Sequence, residues 1–312
     1  MGAGLSMLKF WLIGVLLFFA PSALQADYSI NPFNLKKKYK HTLAICAIFR
    51  DEAPYLKEWI EFHRAVGVEK FYLYNNCSTD DFTTVLLPYV KKGIVEVIKW
   101  NYDFTHYSEW SPIQVRAYTD CLNRLRARVK WLAFIDVDEF LFPVQKSDLR
   151  DVLKDYEEFG AVCVNWQMFG SSNVEKVPAD KLLIELLLYK APTDYSDNHH
   201  VKSIVRPEFV RNCKGPHNFR FGDRRYQVNT NKEQFFGITT TSVLIDKLRI
   251  HHYWTRDLDY LYRVKIGRRE KWQENISGVI KRHEEINQVY DDAILRYVPA
   301  VRKRVFSSKI PD

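Results

Sequence analysis

Cysteine is scarce. The 312 residues contain five, an odd number, at Cys46, Cys77, Cys121, Cys163 and Cys213. That is too few and too scattered for a disulfide scaffold, and the lack of a CxxC pair argues against a structural zinc site. Cys46 and Cys163 fall within apolar, strand-like runs and read as small core residues. Cys77, Cys121 and Cys213 leave room for one disulfide. No internal repeat, low-complexity tract or glycine-rich phosphate loop is present. Nor is there the run of roughly 20 apolar residues that comfortably spans a membrane. The N-terminal run FWLIGVLLFFA, residues 10–20, follows Lys9 and stops at Pro21. Its length suits the core of a signal peptide, about 7–15 residues. ALQA at 23–26 offers a cleavage site, although Leu24 is an imperfect residue there. Residues 1–26 are therefore a cleaved signal peptide or an uncleaved signal-anchor. Either sends residues 27–312 out of the cytosol, into a Golgi-type lumen in a eukaryote or beyond the inner membrane in a bacterium. The anchor alternative adds membrane association through the N-terminus.

Apolar residues make up 46% of the chain and aromatics 15%, enough for a sizeable core. The formal net charge is +8. Residues 27–40 read as a basic linker ending in LKKKYK. A second basic segment spans 202–232, where eight Lys and Arg face only Glu208 and Asp223. Such concentration suggests an anionic partner: phosphate, nucleic acid or an anionic membrane. Asn76 and Asn275 head glycosylation sequons.

The folded part begins at His41. LAICAIF, 43–49, is a continuous apolar run, as in a strand buried on both faces. Asp51 is placed to cap a helix with Pro54 in its first turn and Gly67 at its close. His63 falls on the apolar face of that helix and reads as a core-edge histidine. KFYLYN (70–75) and IVEVIKW (94–100) are further strands, with a short helix over 82–90 between them. Ser111-Pro112-Ile113-Gln114 reads as a capping box opening a helix with an apolar stripe at Tyr118, Cys121, Leu122 and Leu125. WLAFID, 131–136, is a fourth strand. The alternation of strand and helix defines an α/β fold with a central, mainly parallel sheet flanked by helices.

Three carboxylates, Asp136, Asp138 and Glu139, interrupt the apolar stretch WLAFIDVDEFLF. Ligands of open parallel sheets gather beyond the carboxyl ends of the strands, which is where this cluster falls. If the chain stays extended across Val137, Asp136 and Asp138 point the same way. Two such anions need a cationic partner, and a hard divalent cation, Mn2+ or Mg2+, is the simplest. Pairing with Arg or with backbone amides is the structural alternative.

Several stretches together resemble glycosyltransferase family 92, within the family 2-like group of GT-A fold. They are FRDEAPYLKEWIEFHRAVGVEKFYLYNNCSTDD (49–81), FIDVDEFLFP (134–143), NWQMFGSS (165–172), KSIVRP (202–207) and HHYWTRDLDYLYRVK (251–265). Asn173 departs from the glycine that the family favours after FGSS. The resemblance covers roughly 41–270, which sets a GT-A domain with a helical extension over 271–312. It implies metal-dependent transfer of a hexose, galactose in known members, from a UDP-sugar to a glycan hydroxyl with inversion. Asp136 and Asp138 would hold the cation, with His252 as a third ligand. Phe49, Arg50, Glu52, Asn75 and Asp80 would meet the uridine and ribose, and Asp136 the donor. Lys202 and Arg206, four residues apart on one side of a strand, would face phosphate. Trp166, Phe169 and Ser171 would shape the sugar and acceptor site. Inversion needs a base; Asp194, Asp197, Asp223 and Glu233 are all placed for it, with Asp197 slightly preferred.

Other classes remain. A secreted metal-dependent phosphoesterase or nucleotidyltransferase also needs clustered carboxylates, but would be expected to carry more histidines before the DVD motif or a glycine-rich loop. A non-catalytic carbohydrate-binding protein has no need of Asp136, Asp138 and His252 together. A nucleic-acid partner would explain the basic segment but neither the buried carboxylates nor the export signal.

Overall fold

The computed structural model describes residues 39–104, 107–272, 275–307 and 310. The signal peptide or anchor at 1–26, and the linker up to residue 38, lie outside the described residues. Among the described residues no helix is long and apolar enough to cross a membrane.

The chain opens with β1 (His41–Phe49), whose residues 43–49 are all buried. It alternates through α1 (Ala53–Ala65), β2 (Lys70–Asn75), α2 (Phe82–Lys91), β3 (Val95–Lys99), α3 (Trp110–Leu125) and β4 (Val129–Phe134). A turn at residues 137–138 leads into β5 (Glu139–Pro143). Next come α4 (Leu149–Leu153), β6 (Ala161–Met168), α5 (Leu183–Leu186), β7 (Tyr189–Lys190) and β8 (Val201–Val205). The hairpin β9 (Val210–Gly215) and β10 (Asn218–Phe221) is followed by β11 (Gln227–Val228) and β12 (Leu248–His252). The C-terminal part holds α6 (Leu258–Tyr260), a π-helical turn (Leu261–Ile266), α7 (Gly267–Lys271), α8 (Ile276–Glu285), β13 (Val289–Tyr290) and α9 (Val298–Val305).

The main sheet runs β3-β2-β1-β4-β8-β6-β12-β5, with β11 also on β6. From β3 to β4 every pairing is parallel, as the alternating pattern required. Beyond β4 the sheet is mixed: β8 is antiparallel to both β4 and β6, and β5 is antiparallel to β12. Since β12 and β11 both pair parallel with β6, the sheet is mainly parallel as expected, with its antiparallel pairings confined to the second half. The second half is built from strands separated by long connections, and periodicity cannot give their direction. Helices cover both faces. On one, Trp59, Ile60 and Phe62 of α1 pack with Phe71, Trp131 and Phe140. On the other, Tyr118, Cys121 and Leu125 of α3 pack with Cys46, Phe134 and Phe219.

Local expectations fail where a distant residue does the capping. Asp51 does not cap α1; its φ is 57° and its carboxylate accepts from the Thr79 amide. The first turn of α1 is instead satisfied by Asp80, whose Oδ2 accepts from Ala53 N at 2.7 Å. Helix α3 starts at Trp110, so Ser111 lies inside it and no capping box forms. All five cysteines are free. Asn76 is fully buried and its amide donates to the Trp100 and Tyr102 carbonyls, so the first sequon is a structural asparagine. The described residues beyond 271 include α8, β13 and α9 and belong to the same compact unit, Lys37–Asp312, as the rest. Ile286, Ile294 and Val301 are buried in the core that α1 joins.

Candidate functional site

The carboxylate cluster lies just past β4, at the carboxyl edge of the parallel half. The chain does not stay extended there: it turns at residues 137–138 and β5 returns beside β12, with Glu139 opposite His252. Asp136 N donates to Glu139 Oε2 at 2.8 Å, and Tyr253 N donates to Asp138 O at 2.8 Å. This turn separates the two aspartates into different surroundings.

Asp136 meets Lys202. The antiparallel register of β8 on β4 carries Lys202 to this edge, where its Nζ lies 2.7 Å from Asp136 Oδ2 and 3.6 Å from Glu139 Oε1. The other oxygen, Oδ1, accepts from Gln114 Nε2 at 2.7 Å. Lys202 is buried; burial alone would lower its pKa, but Asp136 and Glu139 outweigh that and raise it. Glu139 is fully buried, and burial pushes its carboxyl well up against the pull of Lys202.

Asp138 meets His252, with Oδ1 3.6 Å from Nε2, and Lys265, with Oδ2 3.8 Å from Nζ. Burial would raise the Asp138 carboxyl, but its cationic surroundings (His252, Lys265 and Arg256) hold it below the ordinary range. Burial in turn lowers His252 in spite of Asp138. Lys265 and Arg256 are the further charges that keep Asp138 ionised. Burial, opposed by Asp138, brings Lys265 down to about 8.

The pair Asp138 and His252 fits a divalent cation. An oxygen and a nitrogen 3.6 Å apart can both reach one ion at ligand distances of about 2.1 Å. His252 Nδ1 makes no hydrogen bond among the described residues, its nearest acid being Glu139 Oε1 at 4.0 Å. Asp136 is paired at both oxygens, with Lys202 and Gln114, and lies in different surroundings from Asp138. Among the described residues no group of three His, Cys, Asp or Glu converges. Two protein ligands suffice when substrate phosphates and water supply the rest.

The loops after β1 and β2 come together as expected. Asp51 N donates to Ser78 Oγ, Asp80 caps α1, and Asn75 Oδ1 accepts from Ser78 N. Arg50 is half-buried near Asp51 and over the Phe104 ring. Glu52 faces the buried Arg256, its Oε2 2.6 Å from Nη2. Phe49, in contrast, is core, packed edge-on against Phe82.

Of the aromatic loop, Trp166 lies by the site, 4.6 Å from the His252 ring and 5.9 Å from Lys202 Nζ, with His200 and His217 around it. Phe169 and Ser171 are fully buried, Phe169 stacked on His251 and Ser171 bonded to His283. Neither offers a face to a sugar. Lys202 and Arg206 sit at opposite ends of β8. Arg206 lies over Trp131 and Phe209 and contacts Glu157 O and Glu208, away from the site. Arg225 joins it on Phe209, so that part of the basic segment does not border the carboxylates. Asp197 is half-buried and its Oδ2 lies 2.5 Å from Arg282 Nη2.

Sequence reasoning placed Glu139 in the carboxylate cluster without a role, read Gln114 as part of a cap, and did not single out Arg256 or Lys265. The last two stand within the HHYWTRDLDYLYRVK stretch, but nothing in their spacing signals that they turn back to Asp138.

An α/β sheet with a buried acid–base cluster at the carboxyl edge of its parallel strands is the architecture of a ligand-binding α/β protein. The chain belongs to glycosyltransferase family 92, whose profile matches residues 39–293. A family 92 protein of Ricinus communis is 29% identical over 204 residues, 64% of this chain and 35% of that protein. Galactan beta-1,4-galactosyltransferase GALS2 of Arabidopsis thaliana is 29% identical over 46% of this chain and 29% of its own length. Beta-1,4-galactosyltransferase galt-1 of Caenorhabditis elegans is 32% identical over 35% of this chain and 27% of its own. The matched part is thus about a third of each of these proteins. Among solved structures, S. aureus TarS 1-349 in complex with UDP-GlcNAc is 13% identical, with a TM-score of 0.34 over 65% of this chain and 62% of that one.

Proposed function

We propose that this chain transfers a hexose, galactose, from a UDP-sugar to a hydroxyl of a glycan, with inversion and with Mn2+ or Mg2+. The observation that carries the proposal is the Asp138–His252 pair, 3.6 Å apart at the carboxyl edge of the sheet. Membership of family 92 and the relatives named galactosyltransferases support the choice of reaction and sugar. The departing nucleoside diphosphate gains negative charge, and a cation held by Asp138 and His252 would stabilise it without proton transfer. The residues around the pair do the remaining work. Glu52, Arg50 and the laced loops 50–52 and 75–80 border the donor's nucleoside. Trp166, flanked by His200, His217 and His252, lines the side from which a sugar would approach. Asp197 is the candidate base for the acceptor hydroxyl, positioned by Arg282. The enzyme works outside the cytosol, delivered there by the apolar segment at 10–20.

The test is a panel of UDP-galactose, UDP-GlcNAc, GDP-mannose and a CMP-sugar, each with β-galactoside oligosaccharide acceptors, with and without Mn2+. UDP release coupled to an acceptor gaining one hexose, only with metal and only from UDP-galactose, is the expected result. Release of inorganic phosphate or UMP without an acceptor would replace this reading by a phosphoesterase one.

A further inference from the structure

We propose that Arg256 and Lys265 form a dedicated anion subsite beside Asp138 that takes the diphosphate of the nucleotide donor. The proposal rests on the donor reading above and deepens it.

Arg256 is 1% exposed and its backbone is left-handed, with φ 50°. A non-glycine residue in that region costs energy and persists where the surroundings force it, often at functional sites. Its guanidinium is clamped between rings, 3.6 Å from the centroid of Tyr55 and 4.4 Å from that of Tyr260. Nη2 is spent on Glu52 Oε2 at 2.6 Å, whereas Nη1 has no hydrogen-bond partner among the described residues. A buried guanidinium with unspent donors is costly unless a ligand supplies the acceptors. Lys265 comes off the π-helical turn Leu261–Ile266, a distortion that redirects side chains and is frequent at functional sites. Its ammonium lies 5.0 Å from the centroid of Trp254 and 3.8 Å from Asp138 Oδ2, too far for a hydrogen bond.

Lys265 therefore stands beside Asp138, and Arg256 beside Glu52, with its charge felt at Asp138. The side chains of Glu52, Asp138 and Lys265 keep 14%, 16% and 18% of their surface open, so these three are reachable from solvent, with the buried Arg256 behind Glu52. A fork of planar donors next to a flexible ammonium matches the oxygens of a phosphate pair.

Calorimetry of Lys265→Met, Lys265→Arg and wild type tests this with UDP, uridine and inorganic pyrophosphate, each with Mn2+. Loss of one charge-assisted contact predicts about 10- to 100-fold weaker UDP and pyrophosphate binding by Lys265→Met. Uridine binding should change less than about twofold, and Lys265→Arg should recover most of the loss. The apparent Mn2+ midpoint should move much less than the UDP affinity; a weakening that matches the UDP loss would make Lys265 a positioning residue for Asp138 and overturn the proposal. Equal losses for uridine and UDP, or no loss for either diphosphate, would overturn it too. Lys265-dependent pyrophosphate binding without preference for UDP would keep the anion subsite and remove the uridine donor. Wild type binding neither UDP nor pyrophosphate would remove both. Arg256→Lys, which keeps the charge but not the fork, should weaken the diphosphates in the same order.

Discussion

The Nζ of Lys202 stands 2.7 Å from Oδ2 of Asp136, and the same ammonium is the nearest cation to the fully buried Glu139, at 3.6 Å. One lysine therefore stands against two of the three carboxylates in WLAFIDVDEFLF, while Asp138 faces His252 and Lys265. Removing one partner of a buried ion cluster strands the others, at a cost of about 3–5 kcal/mol. Lys202→Met should lower the urea midpoint by about that equivalent, and adding Glu139→Gln should restore at least half of it. A single variant as stable as wild type would show that the cluster is not held by Lys202.

The separation of the aspartates makes their variants behave differently. UDP with Mn2+ should raise the melting temperature of wild type more than GDP or CMP with Mn2+ does, because a ligand bound only by the folded state stabilises it by mass action. Asp138→Ala should abolish the Mn2+-dependent part of that shift while melting cooperatively. Asp136→Asn should melt lower without ligand yet keep most of the shift. If both variants lose it equally, the two aspartates share the cation and the assignment of Asp136 to Lys202 fails.

Asp80 caps α1 from the loop after β2, so its removal should act on stability first. Loss of a cap costs about 0.5–2 kcal/mol. Asp80→Ala should lose that amount and Asp80→Asn much less, as read by chemical denaturation. Uridine binding unaffected by Asp80→Asn would confine the residue to its cap; selective loss of binding would restore the nucleoside contact expected from sequence.

Asp197→Asn separates base from scaffold. The Arg282 contact survives in the amide as a hydrogen bond, so stability should change by less than about 1 kcal/mol. Transfer should fall by about 100-fold or more if Asp197 takes the acceptor proton, with UDP affinity intact. Unchanged transfer would send the search for a base to another residue.

How legible this was in sequence depends on distance along the chain. LAICAIF and KFYLYN announce β1 and β2 because strands buried on both faces leave a continuous apolar run. The position of Asp136 and Asp138 at a strand end was legible for the same reason. The partners of the two aspartates were not. Gln114 sits four residues into α3 and looked like part of a cap, but a long polar side chain on a buried helix face was the available sign that it pairs inward. Lys202 was noticed as a cation but aimed at phosphate, because sequence holds no information on the register of β8 against β4. Phe169 and Ser171 were read as sugar-facing from their motif, whereas the pairing of β6 with β12 turns them into the core.

His63 carries the pH dependence most open to test. It is fully buried, its Nε2 accepts from Leu141 N at 3.1 Å and its Nδ1 contacts Trp59 O at 2.8 Å. Accepting at Nε2 requires the neutral ring, and burial, opposed only by the Trp59 carbonyl, pushes its pKa down to about 3. The unfolded value is about 6.5. A group depressed on folding contributes stability that is complete above its unfolded pKa and lost as pH falls towards its folded one. The loss therefore runs from about pH 6.5 down to about pH 3 and amounts to several kcal/mol, on the order of 1.4 per pH unit at most. His63→Gln can keep both contacts, with its carbonyl accepting from Leu141 N and its amide donating to Trp59 O, but cannot titrate. Between pH 6.5 and 4 the difference in unfolding free energy between the two proteins should move steadily in favour of the glutamine variant. Carboxylates common to both proteins cancel in that difference, so parallel curves would mean that His63 is not held neutral in the fold.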